Sequence, residues 1–109
     1  MGWLLREGEV LASVDVASSL IARSKGLLGK KRVTGALLLT HTRSVHTIGM
    51  RFAIDVAFLS QDMCVVAVTS LPPCRIALPR RGGRCVLEAE AGAFSRWHLA
   101  PGDHLEIKA

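Results

Sequence analysis

The sequence predicts a mainly β fold: a single sandwich or barrel-like domain with about five to seven short strands and one or two short helices. Three observations support this prediction. Short apolar or alternating runs recur along the chain, turn-forming residues separate them, and no run is long enough for an extended helix. Half of the 109 residues are hydrophobic and 21% are charged, which is typical of a folded chain with one core. We therefore expect one domain over residues 1–109.

The first half of the chain predicts two strands separated by a helical turn. Val10–Ala17 has apolar residues at every second position, the period of a half-buried strand. Two serines follow, and serine is a good helix cap, so we expect a short helix or turn that ends at Gly26. A basic loop over 29–35 then leads to a short buried strand, Ala36–Thr40.

The second half predicts a central hairpin and a closing unit. Ile54–Leu59 is apolar apart from Asp55, which favours a strand covered on both faces. After a turn, Cys64–Leu71 is rich in β-branched residues and predicts the antiparallel return strand. The remaining expected elements are a long loop over 72–84, a strand over 85–90, a short helix over 91–98 and a closing strand over 104–108.

The charges are unevenly distributed along the chain. The net charge is +5, yet no acidic residue occurs between Asp15 and Asp55 or between Asp62 and Glu88. Two basic loops in these gaps could form one patch that attracts an anionic ligand, a nucleic acid or an acidic partner, or they could serve solubility alone. Their basic residues are Arg23, Lys25, Lys30, Lys31, Arg32, Arg75, Arg80, Arg81 and Arg84.

The cysteines and the apolar runs bear on location. Cys64, Cys74 and Cys85 have the spacing of neither a disulfide framework nor a zinc site, so we expect free thiols and no metal or cofactor. The apolar run at the start breaks at Arg6, too early for a signal peptide, and no later run could span a membrane. We therefore expect a cytoplasmic location and no membrane partner.

The segment Val45–Leu59 combines apolar residues with possible chemistry. A carboxylate at Asp55 must be hydrogen-bonded, paired or solvated, because burying a bare charge costs several kcal/mol. His46 could act as an acid or base with Asp55, or it could hold a loop in place. These two residues are the catalytic candidates, but no nucleophile with a strained-turn signature accompanies them.

The order of several short motifs resembles the domain-of-unknown-function 192 family, small prokaryotic proteins with a compact, mainly β fold. The matching residues span about 10–107: Arg23-x-x-Gly26-Leu27-Leu28, His46–Met50, Ile54–Leu59, Val65-Val66, Val86-Leu87-Glu88, Ala91-Gly92 and Gly102-Asp103. The resemblance implies architecture and little about chemistry, because the family has no settled activity. The chain departs from the commoner family pattern at Thr47 and Gly49, which stand where methionine and asparagine are usual, and Ala53 replaces a proline. Family members with a leader segment are exported, and no leader is recognised here.

Three functional hypotheses follow from these residues. The first is a non-catalytic domain that binds a small polar or anionic ligand, or an acidic protein partner. The second is a hydrolase that uses the His46–Asp55 pair, and the third is a nucleic-acid accessory protein, for which no stacking platform or recognition helix is evident. Arg23, Asp55 and Glu88 are expected to meet in an ion network that is either structural or functional. The ligand-binding candidates are Arg23, His46, Met50, Arg51, Asp55 and Glu88.

Overall fold

The computed structural model describes residues 2–17, 35–48 and 51–109. Within these ranges the chain forms nine strands and one short helix. The strands are β1 (Gly2–Arg6), β2 (Glu9–Ala17), β3 (Ala36–Leu39), β4 (Val45–His46), β5 (Ile54–Leu59), β6 (Val65–Leu71), β7 (Ile76–Ala77), β8 (Cys85–Glu90) and β9 (Leu105–Lys108); the helix is α1 (Ala93–Trp97). The predicted mainly β class is confirmed.

Seven strands form one sheet in the order β6-β5-β8-β3-β2-β1-β9, and β4 pairs with β7 in a separate two-stranded sheet. β2 and β3 run parallel, whereas every other neighbouring pair is antiparallel. β1 and β2 form a tight hairpin through Glu7 and Gly8, whose φ angles of 51° and 83° suit the twist of the strands that they join.

The large sheet curls until its two edge strands meet at one end. An isolated bridge joins Cys64 to His104, and the backbone N–H of Val65 donates to the carbonyl of Asp103 at 2.8 Å. Because Val65 and Leu105 come from opposite edges and pack in the same core, the sheet has the barrel-like form that the sequence predicted.

Each face of the sheet carries its own hydrophobic core. We call the core on the concave face, which also receives α1, the barrel core; its members include Leu4, Val14, Leu38, Ala57, Leu59, Val65, Leu87, Phe94 and Leu105. We call the core on the convex face the outer core, and the β4–β7 sheet packs against it. Its buried members are Leu39, Ile54, Val56, Phe58, Leu71, Ala77 and Val86. β5 contributes to both cores and is buried throughout, as predicted for a strand covered on both faces.

Some elements differ from the expectation. Residues 2–6 form β1, for which no strand was predicted, and the predicted long loop over 72–84 contains β7. The predicted helical turn after β2 lies outside the described residues, as does most of the first basic loop. α1 has five residues, and the described ranges contain no helix long and apolar enough to cross a lipid bilayer.

Candidate anion-binding site

Asp55 is buried and bound by backbone amides. It lies in β5 with 7% of its surface exposed, and its Oδ2 accepts hydrogen bonds from the N–H groups of Gly92 and Phe94, each at 3.0 Å. These amides lie at the start of α1, where the first N–H groups have no partner within the helix. Asp55 thus caps the helix from a neighbouring strand, and its charge is stabilised without a basic partner.

Glu88 occupies a different environment, in the middle of β8. It is 3% exposed and forms no hydrogen bond or ion pair with any described residue. Its neighbours in the sheet are Leu37 on β3 and Val56 on β5, both of which are hydrophobic. Burial removes water from the carboxylate and raises the pKa of Glu88 to about 7.

The sheet separates these two acids. Along β5, Val56 and Phe58 belong to the outer core, whereas Ala57 belongs to the barrel core, the side that Asp55 shares. Glu88 pairs in register with Val56 and therefore points to the outer side. The expected meeting of Asp55 with Glu88 does not occur, because their strand positions place the two side chains on opposite faces. Arg23, the third predicted member, lies outside the described residues.

His46 is also remote from Asp55. It lies on β4 directly opposite Ile76 of β7, and both side chains are exposed. The next pair in register, Val45 with Ala77, faces the outer core, so the small sheet and Asp55 are on opposite sides of β5. The Nδ1 atom of His46 accepts a hydrogen bond from the N–H of Ile48 at 3.2 Å. His46 therefore holds its own loop, and the structure does not assemble the proposed acid/base pair with Asp55.

The structure assigns no contact at a site to the other two predicted ligand-binding candidates. Arg51 is exposed and forms no ion pair in the described part of the chain, and Met50 lies outside it. Residues 2–17, 35–48 and 51–109 also contain no cluster of three or more His, Cys, Asp or Glu side chains that could hold a metal ion.

A cavity of about 560 Å³ opens at one end of the sheet, where β3 and β5 finish and β8 begins. We call it the arginine cavity. It is lined by Leu38, Thr40, His41, Arg43, Ser60, Gln61, Met63, Arg84 and Cys85. The strand register brings these residues together, because Leu39 pairs with Val86 and Leu59 pairs with Cys85. Its volume is within the range of cavities that hold small molecules.

The charged residues known to line the cavity, all within the described part of the chain, are basic. Arg43, Arg84 and His41 are among its lining residues, and no acidic residue is among the lining residues that the structure describes. In the described residues only Arg6 and Arg96 form salt bridges with acids, so neither Arg43 nor Arg84 is paired with a described acidic residue. Guanidinium groups bind carboxylates and phosphates through paired hydrogen bonds. The cavity is therefore chemically suited to an anion.

The rest of the lining is both apolar and polar. Leu38 and Met63 belong to or pack against the barrel core, and Cys85 is buried with 8% of its surface exposed. Burial raises the pKa of the Cys85 thiol, so this residue behaves as a small apolar group and not as a nucleophile. Ser60 and Gln61 from the β5–β6 turn supply neutral hydrogen-bonding groups.

A second cavity, of about 480 Å³, lies between β6 and α1. Asp55, Ser70, Ser95 and His98 are among its lining residues, a combination that includes an acid, a histidine and two hydroxyl groups. No hydrogen bond joins His98 to Asp55 or to either serine in the described structure. Since the carboxylate of Asp55 already caps α1, this cavity holds no assembled catalytic set.

Sequence reasoning identified only part of the arginine cavity. Arg84 was one of the basic-loop residues, whereas Arg43 and His41 were not among the predicted site residues. The signal for Arg43 was its position in the acid-free stretch before Asp55. Arg43 and Arg84 line the same cavity because β3 pairs with β8, and a single sequence does not specify which strands pair.

The sequence matches a protein-family model and is similar to several known proteins. The model of the DUF192 family, described as "Uncharacterized ACR", matches residues 4–107. A UPF0127 protein of Pyrococcus furiosus is 36% identical over 103 residues, which cover 90% of this chain and 89% of the relative. A UPF0127 protein of Pyrococcus horikoshii is 40% identical over 91 residues, covering 79% of this chain and 76% of the relative.

Two solved structures share the fold. A protein of Sinorhizobium meliloti, described as a "putative transcription regulator", has a TM-score of 0.81 at 24% identity, covering 97% of this chain and 91% of that one. A protein of unknown function from Novosphingobium aromaticivorans has a TM-score of 0.77 at 17% identity, covering 86% of this chain and 74% of that one. At these identities the likeness shows the fold alone.

Proposed function

The chain belongs to the DUF192 family, and we propose that it binds a small organic anion in the arginine cavity and catalyses no reaction. The observation that carries this proposal is the pair Arg43 and Arg84, which line one cavity whose other described lining residues include no acid. Two cations that line one cavity without a counterion create a positive potential inside it, and that potential attracts an anion.

The lining also supports a particular class of anion. Arg43 and Arg84 can hold a carboxylate, while Leu38 and Met63 offer apolar surface to the rest of the ligand. An apolar tail gains about 25 cal/mol for each Å² that it buries, which a bare inorganic anion cannot do. We therefore favour a carboxylate with a short apolar tail over inorganic phosphate.

Isothermal titration calorimetry with hexanoate tests the proposal, with hexanamide as the neutral analogue of equal shape. We expect hexanoate to bind one site per chain and hexanamide to bind at least about ten-fold more weakly. Raising NaCl from about 50 to about 300 mM should weaken hexanoate binding, because salt screens the partly exposed arginines.

Arg84→Gln and Arg81→Gln form a matched pair of variants for this titration. Both remove one positive charge from the same exposed loop, but only Arg84 lines the cavity. Loss of a charge-assisted hydrogen bond worth about 1.5–3 kcal/mol should weaken binding about ten-fold or more in Arg84→Gln. The proposal fails if hexanoate leaves no binding signal, or if the two variants bind hexanoate equally.

The hydrolase and nucleic-acid alternatives have less support. The hydrolase needs His46 and Asp55 together, and they lie on opposite sides of β5. Unspecific nucleic-acid binding would use the same arginines, but among the described aromatic residues only Trp3 is exposed, and it lies on β1. A gel-shift assay at physiological salt, with no retardation expected, tests this second alternative.

A cytoplasmic location is also part of the proposal. Its support is that Cys64, Cys74 and Cys85 are all unpaired, and Cys74 is exposed. Reducing compartments keep such thiols free.

A further inference from the structure

The outward surface of the β4–β7 sheet exposes large aliphatic side chains. In the antiparallel pair, Val45 and Ala77 face the outer core, while His46 and Ile76 face solvent. Ile76 is 59% exposed, and Leu78, just beyond β7, is 71% exposed. Ile48 is 52% exposed, and its N–H donates to His46. We call Ile48, Ile76 and Leu78 the aliphatic face.

The residues that flank β7 and Leu78 in the sequence carry only positive charge. Arg75 directly precedes β7, and Arg80 and Arg81 follow Leu78. The small sheet is built entirely from the two acid-free stretches, so no carboxylate flanks these arginines in the sequence. None of the three forms a salt bridge within the described residues, although the guanidinium of Arg75 donates to the carbonyl of Cys74 at 3.2 Å. Arg80 is partly engaged, since its guanidinium lies 5.5 Å from the centre of the buried Phe58 ring.

The backbone beneath this surface is held in place. Thr47 is fully buried, its hydroxyl donates to the carbonyl of Pro72, and its Oγ1 accepts from the N–H of Arg75 at 2.9 Å. The N–H of Thr47 also donates to the carbonyl of Arg75 at 2.8 Å. A surface with a fixed backbone loses little conformational entropy when a partner binds.

We propose that the aliphatic face, with Arg75 and Arg81, is a docking surface for an acidic protein segment that carries aliphatic side chains. Carboxylates of the partner pair with the arginines, and its aliphatic groups cover Ile76 and Leu78. Protein interfaces are enriched in arginine and place apolar groups at the centre of a polar rim.

Charge and composition favour this occupant over two others. A second copy of the chain would bring the same arginines against each other in a two-fold interface, and like charges disfavour that contact. A lipid surface is usually contacted by tryptophan and tyrosine at the interface, whereas the aliphatic face has no aromatic residue.

Fluorescence anisotropy with labelled 12-residue peptides tests the proposal, using peptides that alternate Glu with Leu, Glu with Ser, and Lys with Leu. We expect the Glu–Leu peptide to bind the full chain, the Glu–Ser peptide to bind about ten-fold more weakly, and the Lys–Leu peptide to show no binding. The double variants Ile76→Ser/Leu78→Ser and Arg75→Gln/Arg81→Gln should each weaken Glu–Leu binding about ten-fold or more.

Val10→Ser is the matched control, because Val10 is 55% exposed but lies on β2 and should leave the affinity unchanged. The proposal is overturned if the Glu–Leu peptide does not bind, or if it binds the double variants as well as the parent chain. It is also overturned if binding is lost in Arg84→Gln, which would assign the peptide to the arginine cavity. If the protein sediments with phosphatidylglycerol vesicles and does not bind the peptide, the aliphatic face is assigned to a membrane instead. If the protein forms a dimer that Leu78→Ser dissociates, the face is assigned to a second copy of the chain.

Discussion

Asp55 connects a central strand to a helix that lies far away in the sequence. The bond from the N–H of Phe94 to its carboxylate spans 39 residues. The sequence predicted that this acid is hydrogen-bonded, paired or solvated and that a short helix follows β8, but the partners it suggested were Arg23 and His46. The backbone amides of a helix start carry no side-chain signal, so the sequence does not reveal them as the partners.

Replacing Asp55 should destabilise the protein through α1. Asp55→Ala leaves the N–H groups of Gly92 and Phe94 without their acceptor, and we expect a loss of about 2–3 kcal/mol. Asp55→Asn retains an oxygen acceptor and should lose clearly less. Urea unfolding measures both losses. Equal stability of Asp55→Ala and the parent chain would contradict the capping role.

Glu88 should make the stability of the protein fall as pH rises. Its pKa is about 7 in the folded protein, against 4.5 as the ordinary value, so the folded state holds the proton more tightly than the unfolded state does. The protonated Glu88 therefore makes its full contribution to the free energy of unfolding below about pH 4.5. This contribution decreases as pH rises to about 7, by on the order of 3 kcal/mol.

Glu88→Gln isolates this effect, since glutamine has a similar shape and does not titrate. We expect the free energy of unfolding of Glu88→Gln, relative to the parent chain, to increase between about pH 4.5 and pH 7 and then to level off. Urea unfolding at several pH values gives this difference. A difference that stays constant with pH would show that Glu88 does not carry a raised pKa.

At the level of the elements, Arg6 joins three parts of the fold. Its guanidinium donates to the carbonyl of Trp97 at 2.6 Å, to the carbonyl of His98 at 3.3 Å and to the carboxylate of Asp103 at 3.0 Å. The end of β1 is thus tied to the end of α1 and to the turn before β9. The side chain is 18% exposed, so water screens these bonds only in part.

Arg6→Met should loosen this junction. We expect a loss of about 2–3 kcal/mol, because one charge-assisted bond contributes about 1.5–3 kcal/mol and carbonyl groups lose their donors. Arg96→Met is the control, since its salt bridge with Glu90 is exposed and should contribute less than about 1 kcal/mol. Thermal unfolding of both variants compares them; equal losses would show that Arg6 has no special role.

Some elements were predictable and others were not, for physical reasons. β5 was predictable because its six residues are all buried, and a strand covered on both faces has a continuous apolar sequence. The helical pair Phe94 and Trp97 was predictable from its spacing, and the two rings lie 5.5 Å apart. β1 was not predicted because its apolar run is short, although Glu7 and Gly8 after it form a tight turn.

For the molecule as a whole, the charge pattern proved more informative than individual motifs. The acid-free stretches contain both arginines of the cavity and all the arginines around the aliphatic face. Which arginines line the same cavity depends on the strand register and on the curl of the sheet. Both are set by pairing between strands that are distant in the sequence. The sequence therefore predicted that a positive patch could form, and the structure adds a cavity that Arg43 and Arg84 both line.

Titration of the ¹⁵N-labelled protein with hexanoate, followed by amide chemical shifts, tests the central claim most directly. If the arginine cavity is the ligand site, saturable shifts occur at His41, Arg43, Gln61 and Arg84, and hexanamide produces much smaller ones. The claim is contradicted if hexanoate produces no saturable shift, or if the shifts occur around Ile76 and Leu78 and leave the cavity unchanged.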